Sequence, residues 1–186
     1  MAKPQEPLNI TVLSGGPDAE AMISRKSAAA ICDALRTAGH HVHEMDLPTD
    51  DPNSPLRQIP QDHVVFPALH GPWGEGGGAQ LQLVELGLPF VGFGPDAARV
   101  AMDKHQTRVL AAEHGVAIAT GSVVHPGSPP PCPAPCVLKP LDEGSSVGLA
   151  LLHTEDELAT AMAQLTGPAL CEAFVPGREC TVPWVL

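Results

Sequence analysis

A chain of 186 residues with 44% hydrophobic residues can bury a sizeable core as one or two small domains. Its net charge of −11 argues against a nucleic-acid or anionic-membrane surface, because phosphate backbones are gripped chiefly by Lys and Arg. No apolar run of about 18 residues is present and Met1 to Pro7 lacks a signal-peptide core, so a cytoplasmic protein is expected.

Leu8 to Leu13 alternates apolar and polar residues before Ser14-Gly15-Gly16, which reads as a strand entering a glycine turn. From about Ile23 to Ala38, Ala28, Ile31 and Leu35 return at helical spacing and Gly39 supplies the stop; His41 to Met45 then reads as a second strand. This β-turn-α-β opening suits a parallel sheet packed by helices. The proline-dense stretch Pro48 to Pro60 reads as an exposed connection. His63 to Phe66 is a buried strand that delivers His70-Gly71 to its C-terminal edge, where open α/β sheets place ligands. A glycine-rich turn follows over Gly74 to Gly78, then a helix over Gln80 to Leu86, a strand over Phe90 to Phe93, and a helical pair from Pro95 that contains Lys104. A first domain, 1–120, ends there.

The second domain, 121–186, opens with six prolines in eleven positions, His125 to Pro135, which predicts a stiff extended linker outside any core. Val137-Leu138-Lys139 is a short strand ending on a cation, followed by the small-residue loop Gly144-Ser145-Ser146-Val147-Gly148 and a second apolar run, Leu149 to Leu152. Such a hairpin exposes backbone N–H groups and hydroxyls beside an ammonium and can grip phosphate, although a plain surface turn fits the same residues. It is not a Walker A loop, because the lysine precedes the glycines. Thr154 to Glu157 is a capping box, and Leu158, Ala161, Met162 and Leu165 form one face of the helix it starts. Ala169 to Phe174 and Glu179 to Val182 read as two closing strands.

Metal ligation has weak support in this pattern. Five cysteines suit reduced thiols in a reducing compartment, and Cys132-x-x-x-Cys136 has no second ligand pair along the chain. His40, His41 and His43 read as surface residues. The expectation is no metal site in the chain.

Taken together, Lys139-Pro140-Leu141-Asp142-Glu143-Gly144-Ser145-Ser146-Val147-Gly148, His70-Gly71 with Gly74-Glu75, Met102-Asp103-Lys104, Glu172 and Gly177-Arg178-Glu179 resemble, in order and spacing, the D-alanine–D-alanine ligases of the ATP-grasp superfamily. The resemblance implies a parallel-sheet α/β pre-ATP-grasp domain followed by the smaller α+β half of an ATP-grasp domain, C-terminally truncated. It implies ATP-dependent joining of two D-alanines through a D-alanyl phosphate, for peptidoglycan precursor synthesis, with Mg²⁺ and with dimers common. Residue by residue, Glu20 matches the acid that takes the first D-alanine ammonium, Ser145 the loop serine bonded to that acid, and His70 the histidine beside the first substrate. Lys104 and Lys139 match two phosphate-contacting lysines, contributed by separate domains and converging on one triphosphate, with Ser145 and Ser146 in the loop over it. Glu172 and Val175 match adenine-contacting positions, and Glu179 the ribose acid.

Departures are visible too. Gly76 replaces the family's aspartate and Ala173 a frequent lysine; there is no Tyr, and neither Asn9 nor Asn53 lies in a Glu-x-Asn context. The family's metal ligands are thus expected beyond Leu186. A non-catalytic module holding a nucleotide or a D-amino acid, and a ligase using D-lactate or D-serine as acceptor, are the competing readings.

Overall fold

The computed structural model describes residues 6–144 and 146–181. They pack as two compact units, one of residues 1–103 with 142–144 and one of 104–141 with 145–186. The sequence reading drew its boundary near residue 120 and split the two lysines between domains; by packing, Lys104 and Lys139 share the second unit.

In the first unit, β1 (Asn9–Gly15), α1 (Ala21–Thr37), β2 (His41–Leu47), α2 (Asn53–Leu56) and β3 (Val64–Pro67) build a parallel sheet of order β2-β1-β3. The central strand β1 is covered on both faces, so even Thr11 and Ser14 are buried. Thr11 satisfies its hydroxyl on His63 Nδ1 at 2.8 Å. Ile10 and Val12 pack with Ala28 and Cys32 of α1, while Leu13 packs on the other side with Leu47, Val65 and Leu83. Each fully buried Leu or Val contributes about 1.5–3 kcal/mol, which makes these two faces the chief source of order.

Beyond β3 come α3 (Gly71–Glu75), α4 (Gly78–Glu85) and α5 (Pro95–Met102). Two expectations change here. The Pro48 to Pro60 stretch is not a plain exposed connection, because Leu56 of α2 and Ile59 enter the core. Phe90 to Phe93 forms no strand beyond a single parallel bridge from Phe90 to Val65, and Phe93 is exposed.

The second unit holds α6 (Lys104–Glu113), β4 (Gly121–Val124), β5 (Cys136–Pro140), β6 (Ala150–Leu152), α7 (Glu155–Ala163) and β7 (Ala169–Ala173), the strands forming an antiparallel sheet of order β4-β7-β5-β6. Leu158 and Met162 of α7 cover the face bearing Cys136, Leu138 and Cys171. The cap is the one expected: Thr154 Oγ1 accepts from Glu157 N–H at 3.2 Å, and Glu157 reaches back to the N–H of His153 at 2.6 Å. The proline-dense β4–β5 connection is docked on its unit and places Cys132 in the core; Ala134 N–H donates to Glu155 Oε1 at 2.8 Å. Glu179 to Thr181 form no strand, and Val182 lies outside the described residues. Among the described residues no helix is long and apolar enough to cross a membrane.

Candidate functional site

At the C-terminal edge of the parallel sheet, the loops after β1 and β3 are tied together by one acid. Asp18 Oδ2 accepts from the N–H groups of Trp73 and Gly74, each at 3.0 Å, at the start of α3. A Cβ on Gly71 would stand 2.5 Å from Asp18 Cβ, and Gly71 has φ +88, so this close approach requires glycine. Ser24 supplies a second tie: its buried hydroxyl accepts from Gly15 N–H at 3.0 Å and donates to the Ala68 carbonyl at 2.6 Å. Neither Asp18 nor Ser24 stood out in the sequence, since each reads as an ordinary polar residue of a helix start.

These ties position the two residues assigned to the first substrate. Glu20 is the N-terminal flank of α1, with its side chain making no capping bond to the helix. Its Oε2 lies 3.8 Å from where a Cβ of Gly144 would be, so the glutamate and the glycine of the small-residue loop are neighbours within the first unit. His70 flanks α3, its Nε2 at 3.2 Å from Ser27 Oγ and its Nδ1 at 3.6 Å from Glu75 Oε1. Gly71 N–H donates to the other Glu75 oxygen at 3.1 Å, so Glu75 orients the ring while closing the turn.

Gly76 ends that turn. Its N–H donates to the Pro72 carbonyl at 3.0 Å, and a Cβ there would overlap the same oxygen. The turn as formed therefore leaves no room for a side chain at position 76.

In the second unit, strand alternation sorts the site from the core. Cys136 and Leu138 of β5 and Cys171 of β7 face α7, whereas Lys139 and Glu172 lie on the other face. Lys139 pairs with Leu170, which makes Glu172 its diagonal neighbour, and the Lys139 ammonium donates to Glu172 Oε1. Glu172 Oε2 accepts from Arg108 of α6, whose second nitrogen donates to the carbonyls of Ala119 at 2.8 Å and Gly121 at 3.2 Å. The three charged side chains are only 14% (Arg108), 14% (Glu172) and 22% (Lys139) exposed. Lys104 attaches at the exit of β5, its backbone N–H at 3.0 Å and its ammonium at 3.3 Å from the Leu141 carbonyl. Both lysines are thus fixed to the end of one strand, which leads into the small-residue loop.

In that loop Ser146 is exposed and holds φ +61, and its carbonyl accepts from Leu149 N–H at 3.2 Å. Ser145 lies outside the described residues. Val175 and Glu179 are exposed on the segment after β7. Arg108 was missed by sequence reasoning, because an arginine in the middle of a helix with no buried residue reads as solvated. A cavity of about 330 Å³ opens beside it, lined by His105, Val109, Ala112, Ile118 and Ser122, and it includes none of the expected nucleotide contacts.

Two ammonium groups at a strand exit beside a glycine-bearing loop suit a polyphosphate. The donor set does not suit Mg²⁺, which needs hard oxygen ligands. Among the described residues, the grouping of three ligand side chains that does form is one of sulfurs, from Cys132, Cys136 and Cys171. Sequence reasoning missed Cys171, which lies 35 positions beyond Cys136 and reaches it only through β5–β7 pairing. Burial pushes the Cys136 thiol up, and burial together with the neighbouring cysteines pushes Cys171 up to about 12.

Fold and site together define a mixed α/β protein in which a parallel-sheet unit is followed by an antiparallel sheet with a lysine, a glutamate and an arginine gathered on one face. No family model matches the chain. It is 42% identical over 182 residues to the D-alanine–D-alanine ligase of Gluconobacter oxydans (strain 621H), covering 94% of this chain and 60% of that protein. The crystal structure of the Bacillus anthracis D-alanine–D-alanine ligase superposes with a TM-score of 0.77 at 22% identity, over 91% of this chain and 58% of that one. The same bacterium's ligase complexed with ATP gives 0.75 at 20% identity, over 91% of this chain and 60% of that one. At those identities the structural likeness speaks for the fold. The chain spans about three fifths of the length of the curated relatives it matches. By sequence it is a relative of the D-alanine–D-alanine ligase family, corresponding to the N-terminal part of those proteins.

Proposed function

We propose that this chain supplies the D-alanine-side domain and the smaller nucleotide-binding half of a D-alanine–D-alanine ligase. Glu20 accepts the ammonium of the first D-alanine, a charge-assisted bond, and His70 flanks that substrate. Lys104 and Lys139 neutralise the polyphosphate of ATP as the D-alanine carboxylate attacks its γ-phosphorus, forming D-alanyl phosphate and releasing ADP. The amine of a second D-alanine then displaces phosphate. Charge on the transferring group is what fixed cations must hold, so the lysines carry the largest share of this demand. Ser145 and Ser146 close over the phosphates, Val175 offers backbone groups to the purine, and Glu179 accepts the ribose hydroxyls. Glu172 is redefined by its surroundings. Each of its oxygens already holds a cation, so its first task is to fix Lys139, with remaining lone pairs available to an adenine amine.

The observation that carries this reading is the Lys139–Glu172–Arg108 cluster on the face opposite the core, at the strand that leads into the Gly-Ser loop. Mg²⁺, when bound, would supply charge neutralisation at the phosphates, and among the described residues the grouping of three ligand side chains that forms offers sulfurs and not the oxygens this ion needs. For that reason we infer that the chain alone makes little or no dipeptide. Calorimetric titration with ATP and with D-alanine tests the assignment, with a dipeptide assay run on the same preparation. Lys139→Ala should weaken ATP binding more than about tenfold while leaving D-alanine binding unchanged, as loss of a charged hydrogen bond implies. Equal ATP affinity in the two proteins would remove the phosphate role of the loop, and sustained ATP-dependent dipeptide formation would remove the inference of inactivity. A binding module without catalysis is the second reading, favoured by the sulfur-only ligand grouping; it predicts ATP or D-alanine binding with no turnover even when this chain is fused to the C-terminal two fifths of a curated relative, where the first reading predicts dipeptide.

A further inference from the structure

The sulfurs of Cys132, Cys136 and Cys171 all lie within 4.8 Å of one another, beneath α7. They arrive from three places: Cys132 from the β4–β5 loop, Cys136 from the first position of β5, and Cys171 from the middle of β7. Register explains the meeting. Leu138 pairs with Cys171, so Cys136, two residues earlier, is its diagonal neighbour on the same face. Cys136 and Cys171 are fully buried, while Cys132 retains 8% exposure. All three are free thiols.

We propose that Cys132, Cys136 and Cys171 form a binding site for a single thiophilic divalent cation of the Zn²⁺ class. Zn–S bonds of about 2.3 Å at tetrahedral angles set sulfurs about 3.8 Å apart, so a contraction of at most roughly an ångström completes the site. The strand pair fixes two ligands, and the third sits on a loop that can follow. Binding releases one proton from each thiol. Three thiolates around a divalent ion leave one net negative charge, against two for a monovalent ion, and a buried apolar setting favours the smaller charge. Cys132 is the sulfur nearest solvent, so the fourth tetrahedral position falls on its side and takes a water oxygen. The Glu155 carboxylate, anchored on Ala134 of the same loop, would add further negative charge as a ligand and is left on its backbone partner.

Such an ion would clamp β5 to β7 from the core side. Those strands carry Lys139 and Glu172 on the opposite face, so the site would set the register on which the cation cluster depends. Hard cations have no place in it, because thiolate selects soft or borderline metals.

The test is an anaerobic titration of the full chain, reduced and metal-free, with Zn²⁺ and with Co²⁺ as its spectroscopic stand-in. One equivalent should produce thiolate-to-cobalt charge-transfer absorption, raise the melting temperature, and protect three cysteines from alkylation, identified by mass spectrometry as Cys132, Cys136 and Cys171. Cys132→Ser and Cys171→Ser should each weaken binding by more than about tenfold, whereas Cys32→Ser and Cys180→Ser should not change it. If Cys171→Ser does not fold, Cys132→Ser, on the loop, keeps the test decisive. No charge-transfer band at one equivalent, protection of other cysteines, unaltered binding in Cys132→Ser, or a Cys132–Cys136 disulfide in the untreated protein would each overturn the proposal.

Discussion

The carboxylate of Glu172 neutralises two cations at once, and its value to the fold depends on how little water reaches them. An exposed pair such as Arg99–Asp96, whose acid is 95% exposed, is worth about 0–1 kcal/mol because solvent screens it. Arg108, Glu172 and Lys139 are mostly covered, and removing the acid would leave two like charges facing each other without compensation. Glu172→Ala should therefore destabilise the protein by about 3–5 kcal/mol, read as a lowered urea midpoint at unchanged slope. A loss below about 1 kcal/mol would mean that the cluster is solvated like a surface pair. Lys139→Ala is milder by the same logic, since Glu172 keeps Arg108, and this makes it a usable variant for nucleotide titration. Lys139 and Glu172 were singled out through the family resemblance, Glu172 as an adenine contact and not as the partner of Lys139. Arg108 was not, because nothing local marks a helix arginine that finds its partner 64 residues later.

Short elements show where local pattern suffices. The hairpin of β5 and β6 and the capped helix α7 follow from adjacent residues alone: a cation at a strand end, a small-residue loop, and a threonine three positions before a glutamate. The helix Asn53–Leu56 was hidden because Pro55 within it and Pro52 and Pro60 flanking it read as breakers, whereas Leu56 is ordered by a core built from distant strands. The turn at α3 shows a residue whose effect only the structure reveals. In the sequence Gly76 is only a departure from the resembled pattern, yet a side chain there would strike the Pro72 carbonyl that its own N–H already binds. Restoring the family residue with Gly76→Asp should therefore cost about 1–3 kcal/mol by crowding, measured by thermal or chemical denaturation. Stabilisation instead would show that the turn has room to shift.

At the scale of the molecule, each apolar cluster belongs to one compact unit: Leu13, Val65 and Leu83 with their neighbours in the first, and Leu138, Leu158 and Met162 with theirs in the second. The first was readable from strand and helix periodicity. In the second, the apolar face of α7 was readable but the gathering of cysteines beneath it was not, since they come from a proline-dense loop and two strands whose pairing no local rule predicts. Separate cores imply separate opening, because protection from exchange follows the contacts that a segment loses when it opens. Leu158→Ala removes a side chain that is 1% exposed beneath the antiparallel sheet, and truncations of this kind cost about 2–5 kcal/mol in lost transfer energy and residual cavity. Native-state hydrogen exchange of that variant should show faster exchange in β4, β5, β6 and β7, with β1, β2 and β3 keeping the rates of the unmodified chain. Equal acceleration in both sheets would show one cooperative structure in which the two cores stand or fall together, and the cation cluster on β5 and β7 would then draw its rigidity from the whole chain.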